Sequence, residues 1–243
     1  MDNCKLKPFF HFFGGKWRAS ARHYLPPKHS VIVEPFAGSA GFSVRHHDKR
    51  VLLYDVDPVI CGVWDYLIRV SPAEILSIPD IAMNGTVDDL SVCQEARWLV
   101  GFWVNAATAT PCKTPSKWMR AGTHPGVFWG ERARQRIATQ VEAIRHWQIR
   151  QSSYADIQPM PHATWFVDPP YQVAGRNYRF GSEGIDFAHL GEWCRALPGQ
   201  VIVCENDGAD WLPFKPIDGL RSRLKTVEAV WLKENAEDAH GSE

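Results

Sequence analysis

The four residues from Asp168 to Tyr171 are the part of the sequence whose chemistry is easiest to read. They are Asp-Pro-Pro-Tyr, and they directly follow the apolar run from Thr164 to Val167, which is typical of a buried strand. A carboxylate, a stiffened backbone carbonyl and a flat aromatic ring are thereby placed together where a strand ends. These groups suit an exocyclic amine on a planar ring, because acceptors hold the amine hydrogens while stacking clamps the ring. The alternative is a proline-rich turn after a buried strand.

A second unit of strand and loop lies upstream. The β-branched run from Val31 to Val33 passes straight into Glu34–Gly41, a loop of small residues that can start a helix. Its two glycines remove side chains where a ligand must approach the backbone. The next apolar run ends at Asp55, which can accept hydrogen bonds from both hydroxyls of a ribose. Together these features predict a nucleoside-binding site, although a glycine loop alone also serves plain strand-to-helix packing.

The order of these motifs resembles that of the Dam-type DNA adenine-N6 methyltransferases, which use S-adenosylmethionine. The resemblance covers nearly the whole chain. It begins at Phe13–Lys16, which is similar to the family's amino-terminal Gly-Gly-Lys element, and continues through Glu34–Gly41 as the cofactor loop. The segment Ser153–Ile157 resembles the stretch whose aspartate reads the cofactor's adenine amine. The motif from Asp168 to Tyr171 matches the catalytic motif residue for residue.

The resemblance implies which residues form the site. The implied catalytic residues are Asp168, Pro169, Pro170 and Tyr171. The implied cofactor-binding residues are Lys16, Glu34, Phe36, Gly38, Ser39, Gly41, Asp55, Asp156 and Ile157. Asp55 stands at the place of the family's ribose-binding acid, and its neighbour Asp57 is a substitute for that role. Lys16 would hold either the methionine carboxylate of the cofactor or a DNA phosphate.

The resemblance also implies a mechanism. The target adenine leaves the base stack, and the ring of Tyr171 stacks on it. Asp168 and the backbone carbonyl of Pro169 accept the two amine hydrogens, which orients the nitrogen lone pair toward the methyl donor. Neither a nucleophilic cysteine nor a metal ion is required, because the donor is already activated by its positive sulfur.

The charge distribution predicts a basic surface, although the formal net charge is zero. Residues 1–30 carry six lysines and arginines against one acid, and residues 101–150 carry eight against two. Such asymmetry fits a basic groove on an otherwise acidic body, with solvated helix faces as the alternative. Residues 110–120 mix hydroxyls, cations and an aromatic ring in an irregular loop. We predict that this loop contacts double-stranded DNA through Lys113, Lys117, Trp118 and Arg120.

Composition limits the class of protein. A chain of 243 residues with 45% hydrophobic content can bury one sizeable α/β core and a small appendage. The apolar stretch over residues 98–109 is too short to span a bilayer, and the amino terminus has no leader-like segment. We therefore expect a soluble, cytoplasmic monomer. The six cysteines form no Cys-x-x-Cys pair, and His46–His47 has no partner at ligand spacing, so no metal site is expected.

The resemblance implies an α/β fold, a Rossmann-like class I methyltransferase sheet with a small helical target-recognition subdomain. Residues 1–58 and 147–243 would form the catalytic domain that binds S-adenosylmethionine, and residues 59–146 an inserted helical DNA-recognition subdomain. Apolar periodicity predicts helices over residues 131–147 and 187–197 and strands over residues 201–204 and 226–232. Glu205, just after the first of these strands, is expected to support either Asp168 or the cofactor end of the site.

Other functions remain open from the sequence. Cytosine-N4 methyltransferases share the Asp-Pro-Pro-Tyr motif and also methylate an exocyclic amine. An NAD-dependent oxidoreductase would use a similar loop and acid, but a full G-x-G-x-x-G pattern is missing. A catalytically silent DNA-binding protein would not need the intact motif. The short recognition block favours a short or relaxed target site.

Overall fold

The computed structural model describes residues 6–19, 23–105, 108–122, 124, 126–221 and 227–234. Within them the strands are β1 (Val31–Glu34), β2 (Arg50–Asp55), β3 (Gln148–Gln151), β4 (Ala163–Val167), β5 (Gln200–Asn206), β6 (Lys215–Arg221) and β7 (Val227–Lys233). The α-helices are α1 (Gly41–Arg45), α2 (Pro58–Arg69), α3 (Pro72–Ser77), α4 (Gln94–Gly101), α5 (Lys117–Arg120), α6 (Glu131–Ala138) and α7 (Phe187–Ala196). Short 3-10 helices span Val87–Asp89, Val141–Ile144, Tyr154–Asp156, Gly175–Asn177 and Ser182–Gly184.

The strands in the described part of the chain form one sheet in the order β3-β2-β1-β4-β5-β7-β6. The neighbours from β3 to β5 run parallel, whereas β7 runs antiparallel to both β5 and β6. This strand order with a reversed β7 is that of the Rossmann-like class I methyltransferases. The predicted fold class is confirmed.

Helices cover both faces of the sheet because successive residues of a strand point to opposite sides. In β5, Ile202 and Cys204 belong to one hydrophobic core, and Val201 and Val203 belong to the other. The second core is closed by α7, whose Leu190 and Cys194 are buried, as the predicted helical face requires. The strands read as continuous apolar runs for the same reason, since a parallel sheet is buried on both faces.

Residues 59–146 supply much of the first core. Trp64 of α2, Leu99 of α4 and Ile137 of α6 are fully buried in the same cluster as Ile32 and Phe166 of the central strands. The segment therefore forms a helical layer on one face of the sheet. That it also reads DNA stays a prediction.

The chain between α6 and β4 differs from the predicted pattern. The helix expected over residues 131–147 ends at Ala138, and a 3-10 turn over Val141–Ile144 follows it. The chain then forms β3, which the sequence did not indicate because its Gln-Ile-Arg-Gln pattern is mostly polar. This strand lies at the edge of the sheet, where polar side chains face water and only one neighbour, β2, is paired.

The strand order reverses between β1 and β4, and this reversal positions the site. The loop after β1 and the loop after β4 leave the sheet at the same edge and diverge, so a crevice opens between them. Ligands of open α/β sheets bind at such switch points. Glu34 ends β1, and Asp168 follows β4 directly.

Candidate functional site

A pocket of about 540 Å³ lies in this crevice. Its volume is in the range of sites for small molecules and cofactors. The sequence-predicted residues that line it are Lys16, Glu34, Phe36, Gly38, Ser39, Gly41, Asp55, Asp168 and Pro170. The structure thus brings the Gly-Gly-Lys segment, the glycine loop, the acid after β2 and the start of the Asp-Pro-Pro-Tyr motif to one cavity.

The glycine loop and Asp55 are held together by hydrogen bonds. The Gly38 amide donates to Oδ2 of Asp55 at 3.0 Å, and the Asp57 amide donates to Oδ1 at 2.9 Å. Gly38 has a φ of 43°, in the left-handed region that favours glycine. Burial raises the pKa of Asp55 to about 6, against the lowering effect of these amides. The carboxylate therefore stands at the pocket wall with its orientation fixed.

Asp57 has a different structural role from Asp55. Its Oδ1 accepts from the Val59 amide at 2.8 Å and so caps the amino end of α2. The same oxygen lies 3.3 Å from the guanidinium of Arg179, which enters from the loop after the Asp-Pro-Pro-Tyr motif. Both aspartates line the pocket, but the Asp57 carboxylate already caps α2 and pairs with Arg179.

Gly41 permits close packing of the amino-terminal segment. A Cβ atom at this position would lie 2.5 Å from the backbone nitrogen of Trp17 and 2.9 Å from that of Lys16. The sequence suggested that this glycine makes room for a ligand. In the structure it also makes room for the segment that carries Lys16, because no side chain fits between that segment and α1.

Lys16 is buried, and its side chain is only 8% exposed. Its Nζ lies 2.9 Å from Oδ1 of Asp168, and it donates to the Gly14 carbonyl at 3.0 Å. Burial alone would lower the pKa of Lys16, but Asp168 and Glu228 together raise it above the ordinary value. The ammonium group is therefore an internal counterion of the Asp-Pro-Pro-Tyr motif in this structure, a role that the sequence did not suggest.

The pKa of Asp168 is unusually high for an aspartate. Its pKa is raised to about 6: burial is the largest influence and raises the pKa, the positive charge of Lys16 lowers it, and the negative charge of Glu228 raises it. A carboxyl group with a pKa near 6 is ionised at neutral pH and still takes up a proton far more readily than a solvated aspartate.

The rest of the motif is arranged around Asp168. Pro169 is buried, and Pro170 lines the pocket. Tyr171 is half-buried; its ring lies 4.7 Å from Nζ of Lys16, and its hydroxyl donates to Glu228 of β7. Tyr171 is not among the residues that line the cavity. Its ring lies instead beside the ion pair of Lys16 and Asp168.

Glu34, at the start of the glycine loop, is a deeply buried acid. It is 2% exposed, and its Oε1 accepts from the Ser43 amide of α1 at 2.8 Å. Burial raises its pKa to about 8, a rise that its hydrogen bonds to Ser43 oppose. Glu34 therefore links the end of β1 to the start of the following helix.

The segment after β3 is placed only partly as predicted. Ser153 and Tyr154 line the pocket. Asp156 is exposed at the end of a 3-10 helix, and Ile157 is buried in the core that α7 closes. Neither of these two residues lines the cavity.

The loop after the motif also lines the pocket, which the sequence did not suggest. It folds back closely, because a Cβ on Gly175 would lie 2.6 Å from the backbone of Pro170. The Gln172 amide donates to Glu205 at 3.0 Å, so Glu205 supports this loop. Tyr178 donates to the Phe13 carbonyl at 3.2 Å. The cluster of arginines and aromatic rings over residues 176–180 was the available signal.

The residues predicted to bind DNA lie on and near α5, away from the cavity lining. Lys113 forms an exposed ion pair with Asp88 at 2.7 Å, and a guanidinium nitrogen of Arg120 donates to the Gly85 carbonyl at 3.0 Å. Nζ of Lys117 lies 5.1 Å from the ring of Trp118, which is 53% exposed. Ala109, the residue directly before this loop, lines the pocket. The loop thus runs from the pocket wall to an exposed basic and aromatic surface.

The described residues contain neither a membrane-spanning helix nor a cluster of metal ligands. No helix there is both long and apolar enough to cross a membrane. No group of three or more histidine, cysteine, aspartate or glutamate side chains in the described ranges is arranged to hold a metal ion.

No protein-family model matches the sequence, and no curated protein matches it significantly. Among solved structures, two of the rRNA methyltransferase aviRa from Streptomyces viridochromogenes align with most of the chain. One is 17% identical, covers 93% of this chain and 87% of its own, and has a TM-score of 0.45. The other is 18% identical, covers 96% of this chain and 93% of its own, and also has a TM-score of 0.45. Similarity of this extent says nothing about substrate, and the fold class rests on the strand order.

Proposed function

We propose that this protein is an S-adenosylmethionine-dependent DNA methyltransferase that modifies the N6 amine of adenine. The observation that carries the proposal is the shared pocket: Asp168 of the Asp-Pro-Pro-Tyr motif lines the same cavity as the glycine loop and Asp55. Residues suited to binding a nucleoside and a carboxylate suited to accepting from an amine thus lie within one crevice, at the switch point of the sheet.

The residues present fit the cofactor. The loop over residues 37–41 presents backbone to the cavity without large side chains, and Asp55 offers a fixed carboxylate to a ribose. Phe36 and Tyr154, whose ring centroids lie 5.6 Å apart, give the pocket an aromatic wall that suits a purine. When bound, S-adenosylmethionine supplies a methyl group that is activated by a positively charged sulfur.

The chain's own residues then orient the acceptor. Asp168 and the Pro169 carbonyl accept the hydrogens of the target amine and leave its lone pair available. Tyr171 is outside the cavity lining, so the proposal places the flipped base beside that ring, with Asp168 between the base and the cofactor pocket. Holding both reactants in line can contribute roughly 7–11 kcal/mol to the acceleration.

The environment of Asp168 also serves the proton transfer. The amine becomes acidic once it carries the new methyl group, and Asp168, with a pKa near 6, is placed to accept the proton. Lys16 keeps the carboxylate ionised before transfer, which is its role in this proposal in place of cofactor or phosphate binding. No metal ligand or cysteine nucleophile is assigned a role.

Calorimetry and a transfer assay test the proposal. We expect the protein to bind S-adenosylmethionine, not NAD, and to transfer a labelled methyl group to double-stranded DNA. Preference for NAD would indicate an oxidoreductase, and DNA binding without cofactor binding would indicate a silent DNA-binding protein. Transfer to RNA alone would retain the chemistry but contradict the proposed substrate.

A further inference from the structure

Two residues of the Asp-Pro-Pro-Tyr motif belong to a group of five polar side chains linked by hydrogen bonds and ion pairs, which we call the Glu228 cluster: Lys16, Tyr24, Asp168, Tyr171 and Glu228. The Glu228 side chain is 14% exposed. Sequence reasoning found Lys16, Asp168 and Tyr171 through their motifs, but it gave no role to Tyr24 or Glu228.

Oε1 of Glu228 is the point where the cluster converges. Tyr24 donates to it at 2.8 Å, Tyr171 also donates to it, and Nζ of Lys16 lies 3.5 Å away. These partners come from two separate parts of the chain, the amino-terminal segment and the loop after β4. Glu228 itself belongs to β7, opposite Asn206 of β5. Three such partners fix the position of the Glu228 carboxylate, and the carboxylate in turn fixes the positions of its partners.

We propose that Glu228 is a positioning residue for methyl transfer: it fixes the Tyr171 ring through the tyrosine hydroxyl and shares Lys16 with Asp168. This inference rests on the proposed function. It assigns no contact between Glu228 and the substrate. Glu228 acts through Tyr171, whose ring would support the target base, and through Lys16, whose charge would otherwise act on Asp168 alone.

The charges explain why a second carboxylate is useful here. If Lys16 were the only charged group near Asp168, its positive charge would lower the pKa of Asp168. The carboxylate would then be a weaker base. Glu228 repels negative charge on Asp168 and counters part of the effect of Lys16, so the pKa of Asp168 stays higher. The other titratable groups that face the cluster are Glu34, Tyr178, Cys204 and Glu205.

A carbon-13 NMR titration of the Asp168 carboxyl group tests the electrostatic half of the proposal without an activity assay. The signal is assigned with Asp168→Asn. In Glu228→Gln, which keeps the shape and removes the charge, we expect the Asp168 midpoint to fall by roughly one pH unit. In Glu228→Asp, which keeps the charge, it should stay near the wild-type value. An unchanged midpoint in a folded Glu228→Gln variant would overturn this role.

Kinetics test the positioning half. Tyr171→Phe keeps the ring and removes the hydroxyl that reaches Glu228. We expect kcat to fall about fivefold, the factor that one hydrogen bond corresponds to, with the Kd for S-adenosylmethionine unchanged. In the Glu228→Gln background the same change should cost less, because the two residues act together. If Tyr171→Phe lowered kcat equally in the wild-type and the Glu228→Gln backgrounds, the proposed link between Tyr171 and Glu228 would be contradicted.

Two results keep this inference separate from the proposed function. If Glu228→Gln does not fold, Tyr171→Phe still decides the positioning role, because an unchanged kcat would overturn it and a selective loss of kcat would support it. If the wild-type protein transfers no methyl group, the proposed function fails. The shift of the Asp168 midpoint can still be measured in that case, and its absence would overturn the electrostatic role of Glu228 as well.

Discussion

The environment of Asp168 gives the proposed reaction a definite pH dependence. Burial raises the pKa of this carboxyl to about 6, so it is ionised above that pH and protonated below it. Only the ionised form can accept both a hydrogen bond from the amine and the released proton. We therefore expect kcat to be nearly constant above pH 7 and to fall about tenfold per unit below pH 6. A pH series of single-turnover rates measures this, and a profile that is flat down to pH 4.5 would contradict the assignment.

Asp55 and Asp57 allow a matched test of cofactor binding. Asp55→Ala should weaken S-adenosylmethionine binding by about 1.5–3 kcal/mol, because a hydrogen-bonded carboxylate at the pocket wall is lost. Asp57→Asn retains a good helix cap but loses the charge that faces Arg179. Its effect on cofactor affinity should be several times smaller. Calorimetry on both variants decides the question, and the reverse order of effects would move the ribose-binding role to Asp57.

Residues in local motifs were predictable, whereas residues that act through distant contacts were not. Asp168, Gly38 and Asp55 stand next to apolar runs whose pattern reveals a strand, so their place at the sheet edge follows from the sequence. Glu228 is a single acid within a predicted strand, and nothing in the local pattern indicates that it meets Tyr171. The ion pair of Lys16 likewise depends on a contact between two segments that are far apart in the sequence.

At the level of the element, the connection between β1 and α1 determines where the amino-terminal segment lies. In Gly41→Ala the added methyl group would meet the backbone of Lys16 and Trp17, which cannot move without displacing the Lys16 ammonium from Asp168. We expect a loss of about 1–3 kcal/mol in the free energy of unfolding and a lower kcat. Gly184→Ala is a control for stability, because its Cβ meets no atom within 4 Å. Thermal or urea unfolding measures both. Equal free energies of unfolding for the two variants would show that the amino-terminal segment moves aside at no cost, which would contradict this prediction.

The differences between the predicted and the observed elements have separate physical causes. The strands β1, β2, β4 and β5 are recognisable because each contains a run of apolar residues that is buried on both faces of the sheet. The edge strand β3 is polar, and its pairing with β2 depends on tertiary contact. The helix predicted over residues 131–147 was wrong beyond Ala138. Its apolar periodicity continues through the 3-10 turn, whose Val141 and Ile144 are buried, so the pattern alone does not reveal where the helix ends.

At the scale of the whole molecule, the basic surface near α5 tests how the protein would approach DNA. If Lys113, Lys117 and Arg120 neutralise phosphates, the triple alanine variant should bind duplex DNA more weakly. The slope of log affinity against log salt should flatten by up to about 0.9 per lost contact. The ion pair of Lys113 with Asp88 is exposed and weak, so a phosphate can replace it.

A matched control keeps this salt experiment specific. Lys28→Ala with Arg69→Ala removes two exposed cations near the amino edge of the sheet, at the entrance to β1 and at the end of α2. Their loss should leave the salt slope close to that of the wild type. Equal slopes for the wild type and the α5 variant would mean that these charges are ordinary solvated surface. The DNA path would then have to follow other cations.

The central claim concerns the whole molecule: a cofactor pocket and an Asp-Pro-Pro-Tyr motif in one crevice methylate an exocyclic amine of DNA. The most direct measurement is mass spectrometry of nucleosides from duplex DNA incubated with the protein and methyl-labelled S-adenosylmethionine. We predict labelled N6-methyladenine with the wild type and a loss of at least about a hundredfold with Asp168→Asn, which keeps the shape but not the charge. Labelled N4-methylcytosine would keep the mechanism and change the target base. No labelled nucleoside, from a protein that binds both cofactor and DNA, would contradict the account.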